Sequence, residues 1–419
     1  MSHIIIIGSG AAGLMSARML SEKNHSVTIL EARDRIGGRI HKLTEKFSRP
    51  VETGAEFIHG DQSLTLALLR EANGEAMKVQ GNYYTLNKGE LEQGDFMDDQ
   101  WGELTQALNT LTTDTDMASF LDRHFRGDTY QDLRNRVQRF AEGFDTADIH
   151  RVSALALREE WSGTDEEHQY HVRDGYSTLM QYLAEKVKKA GGTILLSSPV
   201  HEIEWREGHV KVTTDSGRSI EGDNVIVTVP LGVLQKGTIR FTPDLPQHRT
   251  AFQAMGFGGV IKFLFEFNEP FWEDHASRKL KNLAFLFSDA DIPTWWTQLP
   301  DQTPLLTGWF GGPRTFNAHH QTGDLFAKAI ASLQYIFKLT PAEIESRIRH
   351  WHIADWTQDP FTHGAYGYTT VETSSALALV TKPIQDTLYF AGEAMYEGPS
   401  MGTVEAALTS GKEVANKIM

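Results

Sequence analysis

His3-Ile-Ile-Ile-Ile-Gly-Ser-Gly-Ala-Ala-Gly13 is the stretch on which the reading of this chain turns. Four consecutive isoleucines bounded by Gly8 suit a strand of a parallel sheet buried on both faces. The glycines that follow open a helix whose apolar residues Leu14, Ala17 and Leu20 recur at helical spacing. A second apolar run, Val27-Thr-Ile-Leu30, ends on Glu31, 18 residues after Gly13. In such a unit the first glycine makes the turn, the second lets the backbone approach a pyrophosphate, and the third lets helix pack on strand. Free N–H groups and the dipole at the helix N-terminus favour the anion. Gly8, Gly10, Ala12 and Gly13 are therefore candidate dinucleotide contacts. Glu31 stands where an acid takes the ribose hydroxyls, and its charge argues against a 2′-phosphate. In a chain with 36 glycines the GxGxxG pattern alone is weak. Its specificity comes from the strand before it, the helix after it and the acid closing the next strand.

At 419 residues the chain exceeds one ordinary core, so two domains are expected. Forty percent apolar and 23% charged residues describe a globular protein. The isoleucine run is too short for a signal peptide and lacks a basic flank, and no stretch approaches the roughly 20 apolar residues of a membrane span. The expectation is a soluble, cytoplasmic protein without a membrane partner. With no cysteine, disulfides, thiolate metal sites, cysteine nucleophiles and a flavin thioether are excluded. A net charge of −15 disfavours nucleic acid and gives cationic small molecules a favourable field. Oligomeric state is not legible.

Beyond Arg39, Pro50-Val-Glu-Thr-Gly-Ala-Glu-Phe-Ile-His-Gly60 reads as a short strand and a glycine-punctuated turn. The pattern from Gln62 to about Ala76 is helical, and from there to about His171 mostly so. Thr112-Thr-Asp-Thr-Asp116 lacks the spacing of a calcium loop and reads as a solvated loop. A helix runs to Ala190, and strands are expected at 193–196, 200–205, 210–213 and 224–230, returning to the first sheet. Strands follow at 258–267 and 305–310, and Thr340-Pro-Ala-Glu343 marks a capped helix start. The pairs His319-His320 and His350 with His352 offer no complete metal ligand set and read as surface or strand residues.

Several motifs then coincide. Besides the two already quoted, they are Leu30-Glu-Ala-Arg-Asp-Arg-Ile-Gly-Gly-Arg39, Val227-Thr-Val-Pro-Leu-Gly-Val-Leu234, Lys262 ten residues before Trp272, Trp356-Thr-Gln-Asp-Pro360 with Gly364-Ala-Tyr366, and Tyr389-Phe-Ala-Gly-Glu393 with Gly402-Thr-Val404. Over nearly its whole length the chain resembles the flavin-dependent amine oxidases, a family that includes monoamine oxidases, polyamine oxidases and flavin histone demethylases. The resemblance implies an α/β fold: a Rossmann-type FAD-binding domain, discontinuous over 1–75, 172–248 and 376–419, interleaved with an α+β substrate-binding domain over 76–171 and 249–375.

By the same resemblance Glu31 binds the adenosine ribose, Arg33 and Arg39 the ribose and phosphate region, and Val200 the adenine. Glu393 lies at the ribityl-pyrophosphate region, Thr403 and Val404 offer N–H groups to the flavin, and Gly37, Gly38, Gly54, Ala55, Glu56 and Trp356 complete the cofactor site. Lys262 holds a water near flavin N5, and Tyr366 stands beside the ring where an amine lies. Ala365 occupies the place of the cysteine that joins flavin to monoamine oxidases, so FAD is expected to be noncovalent. Thr403 replaces their second tyrosine and opens the cage, as in polyamine oxidases. His59 lines the substrate channel, and Glu56 is placed to pair with a substrate ammonium. The implied reaction is oxidation of an amine to an imine and then aldehyde, with oxygen reduced to hydrogen peroxide. Two other readings stand beside it: a carbon–carbon desaturase of the same superfamily, against which Lys262 and Tyr366 argue, and a flavin-binding interaction protein without turnover. Amino-acid oxidation is disfavoured for want of an arginine in the 54–60 turn, with Arg314 the remaining candidate.

Overall fold

The isoleucine run forms the central strand, His3–Ile7, of a five-stranded parallel sheet. The computed structural model describes residues 2–94, 99–163, 169–274, 276–318 and 320–419. The sheet order is Thr193–Leu195, Ser26–Leu30, His3–Ile7, Asn224–Val227 and Leu388–Phe390. Successive side chains of a strand point to opposite faces, which accounts for four isoleucines in a row. Ile4 and Ile6 pack with Leu14, Leu20 and Leu179 on one side, and Ile5 and Ile7 with Leu231, Phe252 and Val380 on the other. Each is at most 3% exposed, so each contributes roughly 1.5–3 kcal/mol of burial. The helix Ala11–Glu22 lies between Ser177–Lys189 and Val404–Ile418, with Ser16 Oγ bonded to Gly411 O at 2.9 Å.

Two expectations are corrected here. The strands at Val200–Arg206, His209–Thr214, Ser219–Gly222 and Arg240–Thr242 do not rejoin the parallel sheet but make a separate four-stranded one. The segment expected to be mostly helical from 76 to 171 begins with strands at Ala76–Lys78, Asn82–Asn87 and Glu90–Gln93. The last two form a hairpin over Lys88 and Gly89, both at positive φ. Its edge strand has one half-buried apolar residue, Leu91, among exposed polar ones, so no apolar alternation announces it. Helices begin only at Asp99–Asn109 and continue with Met117–His124, Gln131–Gly143 and Ala154–Gly163. The 112–116 stretch is more than a solvated loop: Asp116 caps Met117–His124 through Ser119 N, and Asp114 accepts from Ser153 Oγ at 2.7 Å.

The hairpin belongs to a seven-stranded mixed sheet ordered Ile348–Asp355, Val260–Phe267, Leu305–Gly311, Thr294–Trp296, Leu283–Ser288, Asn82–Asn87, Glu90–Gln93. His350 and His352 lie in its first strand, and His320 Nδ1 meets Asp355 Oδ2 at 2.6 Å, while His319 lies outside the described residues. A small sheet, Phe57–His59, Gln169–Val172 and Ala76–Lys78, links the turn after Gly54 to this half of the chain. Thr340 and Glu343 form the expected capping box. Among the described residues no helix is long and apolar enough to cross a membrane, and no cluster of acids and histidines is arranged to hold a metal.

Candidate cofactor and substrate site

One cavity of ≈ 1390 Å³ runs from the glycine turn of the parallel sheet to the seven-stranded sheet. Every residue expected at the site lines it except Gly13, which lies behind its wall. The glycines divide their work accordingly. A Cβ on Gly13 would sit 2.1 Å from Gly8 O, so this glycine closes helix onto strand. A Cβ on Gly10 would meet nothing nearer than Gly37 O at 4.0 Å, so Gly10 leaves open space beside the N-terminus of Ala11–Glu22. This is a cradle of the shape a pyrophosphate needs. Gly54 is a packing residue: its Cβ would fall 1.8 Å from Arg39 O.

Glu31 is buried, and its carboxylate accepts from Ser9 N and Oγ at 2.8 and 2.7 Å and from Arg33 N at 2.9 Å. Ser9, the variable residue of the motif, is thus a member of the site that the pattern did not single out. Arg33 and Arg39 both line the cavity and also hold protein partners. Arg33 forks onto Asp359 at 2.8 and 2.6 Å, which fixes its guanidinium on the cavity wall. Burial pushes the Asp359 carboxyl up, but the hydrogen bonds and charge of Arg33 hold it below the usual range. Arg39 Nη1 donates to Glu393 Oε1 at 2.7 Å and to Ala365 O at 2.5 Å, which makes one unit of two residues expected to act separately. Thr403 is also more constrained than expected. Its N–H donates to Ser400 O at 3.1 Å and its Oγ1 caps Ala406 N, which leaves Val404 as the first residue of the helix, whose N–H has no intrahelical acceptor.

Lys262 faces this cavity because of strand alternation. Ile261, Phe263, Phe265 and Phe267 point into an apolar core. Lys262, Leu264 and Glu266 point the other way, toward the 47–56 segment: Leu264 packs with Phe47 and Val51, and Glu266 accepts from Ser48 N. Phe267 therefore lies on the face opposite Lys262. Lys262 is 1% exposed, and its Nζ donates to Glu56 Oε2 at 2.5 Å and Gly54 O at 3.2 Å. Glu56 was expected to pair with a substrate ammonium, but the structure gives its carboxylate to Lys262. Burial pushes the Glu56 carboxyl up, and the charges of Lys262 and His171 outweigh this and hold it below its ordinary value. Glu52, in the same segment, is pushed up to about 7, chiefly by burial.

At the far end the cavity is walled by aromatic residues. Tyr366 stacks on Trp309, with ring centroids 6.5 Å apart and 28° between planes, and its hydroxyl donates to Phe144 O at 2.5 Å. Burial, with the nearby carboxylates of Asp145 and Glu160, raises its phenol well above the ordinary value. His59 lies edge-on to Phe144 at 5.9 Å, and burial lowers it to about 4, so it is neutral at pH 7. Asp145 is 6% exposed, and neither of its oxygens has a well-formed hydrogen bond among the described residues. Burial and the Glu160 charge raise its carboxyl well above the usual range. Asp145, Glu160, Trp296 and Trp309 were not found from sequence; Asp145 sits at a helix end with no motif around it. Arg314 packs 5.2 Å from the Phe310 ring and does not line the cavity, so the carboxylate clamp considered for amino acids is not formed by it.

The family model for flavin containing amine oxidoreductases matches residues 11–419. The mouse protein "Lysine-specific histone demethylase 1B" is 27% identical over 99% of this chain and 52% of its own length. The rice (Oryza sativa subsp. japonica) protein "Polyamine oxidase 4" is 27% identical over 99% of this chain and 88% of its own. The chain spans about half the length of the first of these relatives. A solved structure of wild-type putrescine oxidase bound to putrescine superposes with a TM-score of 0.81 at 20% identity, over 100% of this chain and 98% of that one. A glycine cradle, a buried acid and a buried lysine on one cavity thus agree with a match that runs through nearly every residue, and the chain belongs to the flavin containing amine oxidoreductase family.

Proposed function

We propose that this chain oxidises amines with FAD held noncovalently in the cavity, oxygen serving as electron acceptor. The observation that carries the amine assignment is the far end of the cavity, where the buried carboxyls of Asp145 and Glu160 lie together within walls of Tyr366, Trp309 and Phe144. Electron-rich ring faces attract a cation, and an ammonium brought beside a buried carboxyl favours that carboxyl's charged form. FAD, when bound, supplies the acceptor for the hydride equivalent leaving the carbon next to nitrogen. The chain's own part is to hold the pyrophosphate on Gly10, orient the ribose on Glu31, fix the amine between aromatic faces and exclude water. No side chain is required as a strong base. Lys262 supplies positive charge and hydrogen bonding at the cofactor end.

Di- and polyamines, or bulky secondary amines, are expected to bleach the bound flavin faster than benzylamine-like monoamines when mixed anaerobically in a stopped-flow instrument. Fastest reduction by small aromatic monoamines would overturn the substrate class, and reduction by no amine would overturn the activity. Noncovalent binding is tested separately. Acid denaturation is expected to leave the yellow chromophore in the supernatant, and colour that stays with the precipitated polypeptide contradicts it.

A further inference from the structure

The Glu56–Lys262 pair is a built feature rather than a chance contact. Glu56 Oε2 takes Lys262 Nζ at 2.5 Å, and Oε1 accepts from Trp296 Nε1 at 3.1 Å and Gln298 Nε2 at 2.9 Å, with His171 Nδ1 at 3.6 Å. Each oxygen is thereby satisfied from a different strand or loop. The two side chains are 6% and 1% exposed, and the ammonium also lies 5.5 Å from the Trp296 ring centroid. The other groups that act on the pair are Glu52, whose carboxyl is pushed up by burial, and His171, which burial lowers. An isolated ammonium at this depth is costly, and a buried amine without a counter-charge sheds its proton.

We propose that Glu56 is a positioning residue, whose carboxylate fixes the Lys262 side chain as the charged member of a dry ion pair on the cavity wall. Through it Lys262 offers one rotamer and one charge state, where a lysine left to itself would swing and titrate. The inference rests on the placement of Lys262 at the cofactor proposed above, and its test keeps the two separable.

Glu56→Gln can keep an acceptor oxygen for Trp296 and Gln298 while replacing the oxygen that takes Lys262 with an uncharged amide NH2. Four flavin-saturated holoproteins are compared: wild type, Glu56→Gln, Lys262→Met and the double variant. Flavin release on heating reports melting, and the visible spectrum and the rate of reoxidation are followed across about pH 6–9, the range into which burial brings an unpaired amine. Glu56→Gln is expected to melt several degrees below both wild type and the double variant, because removing one partner strands a buried charge and removing both does not. It is also expected to show an ionisation in the flavin spectrum and in reoxidation, changing the rate about tenfold, that wild type and the double variant lack. If Glu56→Gln melts no lower than the double variant and shows no such ionisation, the proposal is overturned. Should Glu56→Gln fail to fold, recovery of folded holoprotein on adding Lys262→Met supports the pairing and failure to recover overturns it. A wild-type reoxidation rate in Lys262→Met instead counts against the placement of Lys262 at the cofactor, and the melting cycle then decides the pairing by itself.

Discussion

Lys262→Met is expected to slow reoxidation of the reduced flavin by oxygen on the order of 10²-fold, the scale of losing one preorganised donor in a dry site. The ammonium is 1% exposed and pinned at 2.5 Å by Glu56, so its field acts through little water and no reorganisation is needed when negative charge develops on oxygen. Anaerobic reduction by the amine leaves no comparable charge to stabilise, so its rate is expected to change only modestly. Methionine keeps an unbranched side chain one atom shorter than lysine, and the Glu56 carboxylate it leaves behind retains the Trp296 and Gln298 donors. The two half-reactions are read separately by stopped-flow absorbance. Reoxidation at the wild-type rate in a variant that folds and holds FAD would remove Lys262 from the flavin.

Gly10→Val is expected to fold and to lose its cofactor. The backbone at Gly10 is extended, with φ −75° and ψ −174°, which valine adopts without strain, and the added carbons enter the open cradle. They then occupy the volume of the pyrophosphate, and overpacking of about 3 kcal/mol weakens FAD on the order of 10²-fold. Gly13→Ala provides the contrast. Its methyl collides with Gly8 O at 2.1 Å, so it opens the helix from the strand whether FAD is present or not. Flavin fluorescence titration and far-ultraviolet circular dichroism distinguish the two. A Gly10→Val protein that purifies with one FAD per chain shows that the pyrophosphate does not lie on this turn.

Local chemistry makes the first forty residues and the order of the motifs readable from the sequence itself. A two-sided strand needs consecutive branched residues, a tight turn needs glycine, and a ribose needs an acid at a fixed distance along the chain, so position in sequence carries the information. The same holds for the capping box at Thr340 and for the absence of a cysteine beside the cavity. Folding in three dimensions was required wherever a side chain's role depends on its partner. Lys262 is separated from Glu56 by 206 positions, Arg33 from Asp359 by 326 and Arg39 from Glu393 by 354. These pairings join residues that the sequence offered one by one. The hairpin at 82–93 was hidden for a related reason: its edge strand carries few apolar residues, and its pairing with Leu283–Ser288 is visible only once both strands lie in the same sheet. Spacing along a chain encodes what backbone geometry demands of neighbours, while the charge balance of a buried site is a property of groups that meet only after the chain has closed on itself.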